Sequence, residues 1–277
     1  MKKILLLCLT LLALASCKQQ TTNDLAMCHD PNVRFASFAD DQNFRDAHPA
    51  PLPFEEARGG KMVHFPVPGG DKGHAYFVKA RKKTNKYLLV FHEWWGLNAY
   101  VRKEADMWAK ELNINVLAID LYDGKVAEKP EEAGKFMQAN DPKRSEALIA
   151  AAAQYAGPKA DFRTIGWCFG GGWSLKAALV LKDRVKGCVM YYGMPEKNVE
   201  TLKTLATDVV VIHASKDQWI NDAVIAEFEQ NMKSAGKSLS VHRFDADHAF
   251  ANPSSPKHNE QAAKDARAVV YAYLSKK

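Results

Sequence analysis

The sequence predicts an α/β domain, with a mainly parallel central sheet of about eight strands and helices on both faces. Two observations carry that reading. From residue 61 onward, short β-branched and aromatic runs alternate with longer stretches whose apolar residues recur at helical spacing. That stretch also has no internal repeat and no low-complexity segment, and its length suits one domain. The strand-like runs are 62–67, 75–80, 86–91, 114–119, 162–167, 187–192, 209–213 and 238–244. Helical patterns cover 101–112, 130–139, 143–156, 173–182, 223–232 and 259–274. The first strands follow one another like a hairpin and are expected to be antiparallel at an edge. The later ones are separated by helices, which implies parallel pairing. In such sheets ligands bind beyond the carboxyl ends of the strands.

The run Gly166-Trp167-Cys168-Phe169-Gly170-Gly171-Gly172 lies where the strand 162–167 turns into a helix. This is the G-x-(Ser/Cys)-x-G nucleophile elbow with sulfur in the reactive position. Glycines two residues either side of Cys168 relieve a strained, crowded turn in which a Cβ would clash. The helix opening after Cys168 directs its amide dipole at the sulfur, which favours thiolate. The bland alternative is a buried structural cysteine beside a glycine-rich turn.

Chain order decides between them. In elbow hydrolases the acid and then the histidine follow the nucleophile. Asp217 stands just past the apolar strand 209–213, and His248 lies on the loop after the strand 238–244. Taken singly, Asp217 reads equally well as a helix N-cap and His248 as a surface histidine. Together they follow Cys168 in the required order at the required kind of position, and a Cys168–His248–Asp217 triad is the expectation.

With these residues in view the chain resembles the dienelactone hydrolases, within the α/β-hydrolase superfamily. The likeness rests on His92-Glu93-Trp94-Trp95-Gly96-Leu97-Asn98, Ala118-Ile119-Asp120-Leu121-Tyr122, the Cys168 elbow, Lys216-Asp217 and Asp247-His248-Ala249-Phe250. It implies Cys168 as nucleophile, His248 as general base and acid, and Asp217 as the group that orients His248. It also implies that Glu93 partners the cysteine at rest and moves when substrate binds, guarding the thiol from oxidation. The plainer reading of Glu93 is a loop residue facing water or pairing with Arg102. The family holds its acidic substrate with an arginine shortly after the histidine. Asn252 stands in that place here, and an amide cannot form the charged fork.

The expected oxyanion donors are the backbone N–H groups of Phe169, after the nucleophile, and Trp94, on the loop after the strand 86–91. Trp95, Tyr122 and Trp219 on neighbouring strand-end loops are candidate pocket walls, although each serves equally as core. His92-Glu93 begins like a zinc-protease helix, but Gly96 replaces the second histidine, so that motif fails. The expected chemistry needs no metal and no organic cofactor.

Residues 1–16 read as a lipoprotein signal peptide: Lys2 and Lys3 precede an apolar run too short to span a bilayer, and Leu14-Ala15-Ser16-Cys17 matches a lipobox. Cys17 is the expected lipidation site. Lys18, rather than aspartate, after it points to a bacterial outer membrane, with the catalytic domain periplasmic or surface-exposed. Residues 17–60 are read as a tether followed by an irregular, proline-bearing extension lying across the catalytic domain, which occupies 61–277. Loss of residues 1–16 lowers the formal charge from +6 to +4. The remaining basic residues are scattered, which argues against a nucleic-acid partner. Cys188 is expected in the core, and Cys28 is an odd cysteine whose fate spacing does not decide.

The composite expectation is a membrane-tethered monomer that cleaves a carboxylic ester or lactone through a thioacyl-enzyme. Two other readings remain open. An acceptor alcohol replacing water would make the protein an acyltransferase, and a surface-anchored binding protein could keep the fold without turnover. A thiol-redox role is disfavoured, since Cys168 lacks a C-x-x-C partner.

Overall fold

The computed structural model describes residues 30–277. Cys17, Cys28 and the signal and tether segments therefore lie outside the described residues. An eight-stranded sheet runs in the order β1-β2-β4-β3-β5-β6-β7-β8. Its strands are β1 Lys61–Phe65, β2 Gly73–Val78, β3 Lys86–Phe91, β4 Asn115–Ile119, β5 Asp161–Trp167, β6 Val185–Tyr191, β7 Val209–Ala214 and β8 Leu239–Phe244. β1 and β2 are antiparallel, β2 joins β4 antiparallel, and every other pairing is parallel. The mainly parallel, eight-stranded α/β sheet predicted from the alternation, with its antiparallel first strands at one edge, is the one observed.

β3 is buried from Leu88 to Phe91, and β4 and β7 are buried throughout. That follows from a sheet covered on both faces, whose central strands are continuous apolar runs. Its helical cover includes α3 (Ala99–Leu112), α4 (Pro130–Gln138), α5 (Pro142–Ala156), α6 (Phe169–Leu181), α8 (Asp222–Ser234) and α9 (Glu260–Leu274), with a short α7 (Val199–Lys203) between β6 and β7. Asn98, Asp141, Asn221 and Asn259 each cap a helix by accepting a backbone N–H. Cys188 sits in β6 with its Sγ 3.6 Å from Ser174 Oγ, and burial pushes its thiol up to about 11.

Two boundaries depart from the sequence reading. The elbow helix starts at Phe169 instead of residue 173. A run of three glycines reads as a breaker, yet a Cβ on Gly170 would lie 2.2 Å from the Phe91 carbonyl oxygen, so tertiary packing winds those glycines into the helix. The extension, expected to be irregular, also carries structure: α1 Pro31–Ser37, a 3₁₀ turn Phe38–Asp40 and α2 Gln42–Ala47. Helices of six or seven residues are marginal alone. These two are capped by Asp30 and Asp41 and held by their buried Phe35 and Phe44. Gly172 makes room for α1, because a Cβ there would meet Asn32 Oδ1 at 2.4 Å.

Candidate active site

Four loops converge beyond the carboxyl ends of β3, β5, β7 and β8. Cys168 holds φ 56° and ψ −123°, a backbone conformation that strains any residue with a Cβ. Its N–H donates to the Tyr191 carbonyl and its carbonyl accepts from Gly171 N–H, clamping the peptide on both sides. A Cβ on Gly166 would stand 2.0 Å from the Gly170 carbonyl oxygen, so the turn closes only with glycine there. The Phe169 and Trp94 N–H groups, the expected oxyanion donors, find no protein acceptor among the described residues.

His248 and Asp217 meet: His248 Nδ1 lies 2.5 Å from Asp217 Oδ2. The other carboxylate oxygen of Asp217 accepts the N–H groups of Trp219 and Ile220, each at 3.0 Å. Capping of the following helix falls to Asn221 instead. Burial works against the Asp217 charge, but His248 and the two amides outweigh it and hold the carboxyl below its usual range. Burial likewise opposes charge on His248. The Asp217 carboxylate and the Cys168 sulfur prevail and raise its pKa well above the ordinary histidine value. With Nδ1 committed to Asp217, Nε2 faces the site without a partner.

Glu93 is fully buried, and desolvation pushes its carboxyl up to about 7. The structure gives it a different partner from the one the resemblance implied. Asn252 Nδ2 donates to Glu93 Oε2 at 2.6 Å, while Asn252 Oδ1 accepts from Ser254 N–H and Oγ. Neither Cys168 nor Arg102 is hydrogen-bonded to Glu93; Arg102 pairs with Glu56 at 2.7 Å. Asn252 is thus a buried clamp on Glu93 rather than a free wall residue. The loop carrying Glu93 is fixed by His92, whose Nδ1 lies 2.6 Å from the Glu93 carbonyl and whose Nε2 accepts from Leu121 N–H. Trp94, Trp95 and Tyr122 are buried, and Trp219 is partly so. Tyr122 packs on His92 and on Phe169, with ring centroids at 4.7 and 5.8 Å.

Sequence reasoning missed His48, which comes from the extension just after α2. One ligand atom from each of His48, Cys168 and His248 lies within 4.8 Å of the others. Its Nδ1 donates to the Phe44 carbonyl at 2.5 Å and Nε2 is unpartnered. Burial, reinforced by the neighbouring His248, pushes its pKa down to about 3, so it is a neutral ring. Phe44 wedges between Trp94 and Trp219 at 5.3 and 5.1 Å, and Phe35 lies over His248 at 6.4 Å. On the other side of His48 a gap of about 10 Å³ is lined by His48, Pro51, Trp95, Ala249 and Asn252. That holds at most one water. The available signal was an extension expected to lie across the catalytic domain, but nothing in the sequence placed it over the site, and no motif marks a lone Ala-His-Pro.

The profile of the dienelactone hydrolase family matches residues 74–277. The chain belongs to this family. It is accordingly a hydrolase of the carboxylic ester and lactone class. A carboxymethylenebutenolidase of Pseudomonas sp. (strain P51) is 28% identical over 222 residues, covering 75% of this chain and 92% of the relative. The "Protein usf" of Aquifex pyrophilus is 28% identical over 206 residues, covering 70% and 87%. Among solved structures, a dienelactone hydrolase-like promiscuous phosphotriesterase from metagenomic libraries superposes with a TM-score of 0.68 at 18% identity. That superposition covers 79% of this chain and 99% of that one. The matched region excludes the extension that supplies His48.

Proposed function

We propose that this family member hydrolyses a small ester or lactone with a neutral acyl group, through a thioacyl-enzyme on Cys168. The observation that carries the reading is the strained Cys168 elbow within 4.8 Å of a His248 that Asp217 already holds. His248 Nε2 takes the thiol proton, and sulfur attacks the carbonyl carbon. The Phe169 and Trp94 N–H groups receive the tetrahedral oxyanion. Collapse breaks the ester C–O bond, and the proton on His248 goes to the departing alkoxide. Water then attacks the thioester with His248 as base, releasing the acid and the thiol.

The neutral acyl group is supported by Asn252, which replaces an arginine and is spent on Glu93. Reaction requires a carbonyl about 3–3.5 Å from sulfur. His48 stands in that space, so substrate entry displaces the extension. Stopped-flow hydrolysis of p-nitrophenyl acetate by detergent-solubilised protein tests the mechanism. We expect a burst of about one equivalent that Cys168→Ala abolishes, with turnover falling roughly 10⁴-fold or more. Equal, burst-free rates for both proteins would sink it.

We further propose that Cys17 is lipidated and tethers the domain in a bacterial envelope, as the lipobox supports. Metabolic labelling with a fatty-acid analogue should be lost in Cys17→Ala; retained label would refute the anchor.

A further inference from the structure

The extension does more than cover the nucleophile: it brings a third metal-type ligand to it. Cys168 Sγ and one ring nitrogen each of His48 and His248 form a compact, wholly buried group within 4.8 Å. Both histidines have Nδ1 bonded elsewhere, to the Phe44 carbonyl and to Asp217, and both leave Nε2 buried and unpartnered. His48 Nε2 is thus a buried acceptor with no donor of its own, close to Cys168 and His248, and leaving it so is unfavourable unless a ligand pairs with it. A second hydrogen bond from the far ring nitrogen to a carbonyl or carboxylate is how proteins orient metal-binding histidines.

We propose that His48, Cys168 and His248 bind one zinc-like, borderline-soft divalent cation, which locks the extension over the nucleophile as a reversible inhibited state. Zinc takes sulfur at about 2.3 Å and imidazole at about 2.0–2.1 Å, with three protein ligands and one open position in many sites. Its tetrahedral ligand atoms stand roughly 3.3–3.6 Å apart, so the group closes by about an ångström around the ion. The charges suit it: thiolate and two neutral rings leave one positive charge, which the buried Asp217 carboxylate behind His248 offsets. Binding releases one proton, from the thiol or from the imidazolium of a thiolate–imidazolium pair, and no electron moves. Thioester formation and zinc ligation exclude one another, since both consume the Cys168 lone pair and His248 Nε2. The bound state also shields the thiolate from oxidation, the task the resemblance gave to Glu93.

The proposal uses two residues of the proposed triad but does not depend on turnover, and its test reads the metal directly. Detergent-solubilised full-length protein, freed of metal by chelator, is titrated with Co²⁺ and then with competing Zn²⁺. Expected are one equivalent bound, intense tetrahedral d–d bands, and a thiolate-to-cobalt charge-transfer band that Cys168→Ser removes. Loss of an outer-shell partner alone weakens metal sites about 10–100-fold, so His48→Gln, which loses a ligand, should weaken zinc by about 100-fold or more. Zinc X-ray absorption of the unmutated protein should show one sulfur and two imidazoles, which guards against a His48→Gln protein that fails to fold. One sulfur with a single imidazole, equal zinc affinity in His48→Gln, or no stoichiometric binding would each overturn the assignment. Zinc inhibition of ester hydrolysis that His48→Gln relieves adds support. If no ester is turned over, the spectra still decide the metal site.

Discussion

The two walls of the site are built on different principles. On the elbow side Cys168 is set by backbone against backbone, where a Cβ on Gly166 or Gly170 would come within 2.0 or 2.2 Å of a carbonyl oxygen. On the extension side the cover is side chain against side chain, Phe35, Phe44 and His48 against Trp94, Trp219 and His248, with few main-chain ties such as Leu52 N–H to the Ser254 carbonyl. Backbone packing has no soft degree of freedom, whereas aromatic packing separates when its contacts are exchanged for those of a ligand. The Cys168 turn is therefore fixed by its backbone, whereas its cover is held mainly by side-chain contacts.

Breaking the first wall should have the largest effect. Gly170→Ala drives a methyl into the Phe91 and His92 carbonyls, at 2.2 and 2.5 Å, with no flexible atom to yield. A loss above about 4 kcal/mol is expected, read as insolubility or a collapsed thermal transition. A melting curve like that of the parent would show that the turn is not rigid. Breaking the second wall should act locally. Phe44→Ala removes about 3–5 kcal/mol of ring packing, more than a six-residue helix holds by itself. Limited proteolysis should then cut within residues 30–58 under native conditions, with faster ester turnover and little change in global melting. A fall in global stability without new cleavage would make the extension part of the core.

Glu93 sharpens the contrast, since it stands in the chain between His92, whose carbonyl packs against Gly170, and Trp94, which packs on Phe44. Its folded-state pKa is raised, so the folded protein holds a proton that the unfolded chain releases near pH 4.5. Stability is therefore lost as pH rises from about 4.5 to about 7, by about 3 kcal/mol above that window. Glu93→Gln keeps an uncharged acceptor for Asn252 and should be more stable than the parent by about that amount at pH 8, and nearly equal to it at pH 4.5. Denaturant unfolding at the two pH values measures this. A Glu93→Gln protein less stable at pH 8 would mean that the carboxylate is needed.

Much of this molecule was legible in its residues. The sheet and its crossovers follow from periodicity, and β3, β4 and β7 read as buried strands because they are continuous apolar runs. Cys168, Asp217 and His248 were found because a strand-to-helix turn with glycine at both flanks, and a fixed chain order, are local properties. What stayed hidden depends on contacts between distant segments. The glycines after Phe169 became helix because neighbouring backbones leave no room for side chains. Glu93 chose Asn252, 159 residues away, because both are buried where one hydrogen bond must be made. α1 and α2 are too short to carry a periodic signal, and His48 has no motif at all. The sequence by itself determined a hydrolase fold with a cysteine in a glycine-flanked turn at the end of β5. Tertiary structure alone decided what lies over that sulfur, because the extension's short capped helices are placed there by aromatic contacts with Trp94, Trp219 and His248, residues distant in the chain.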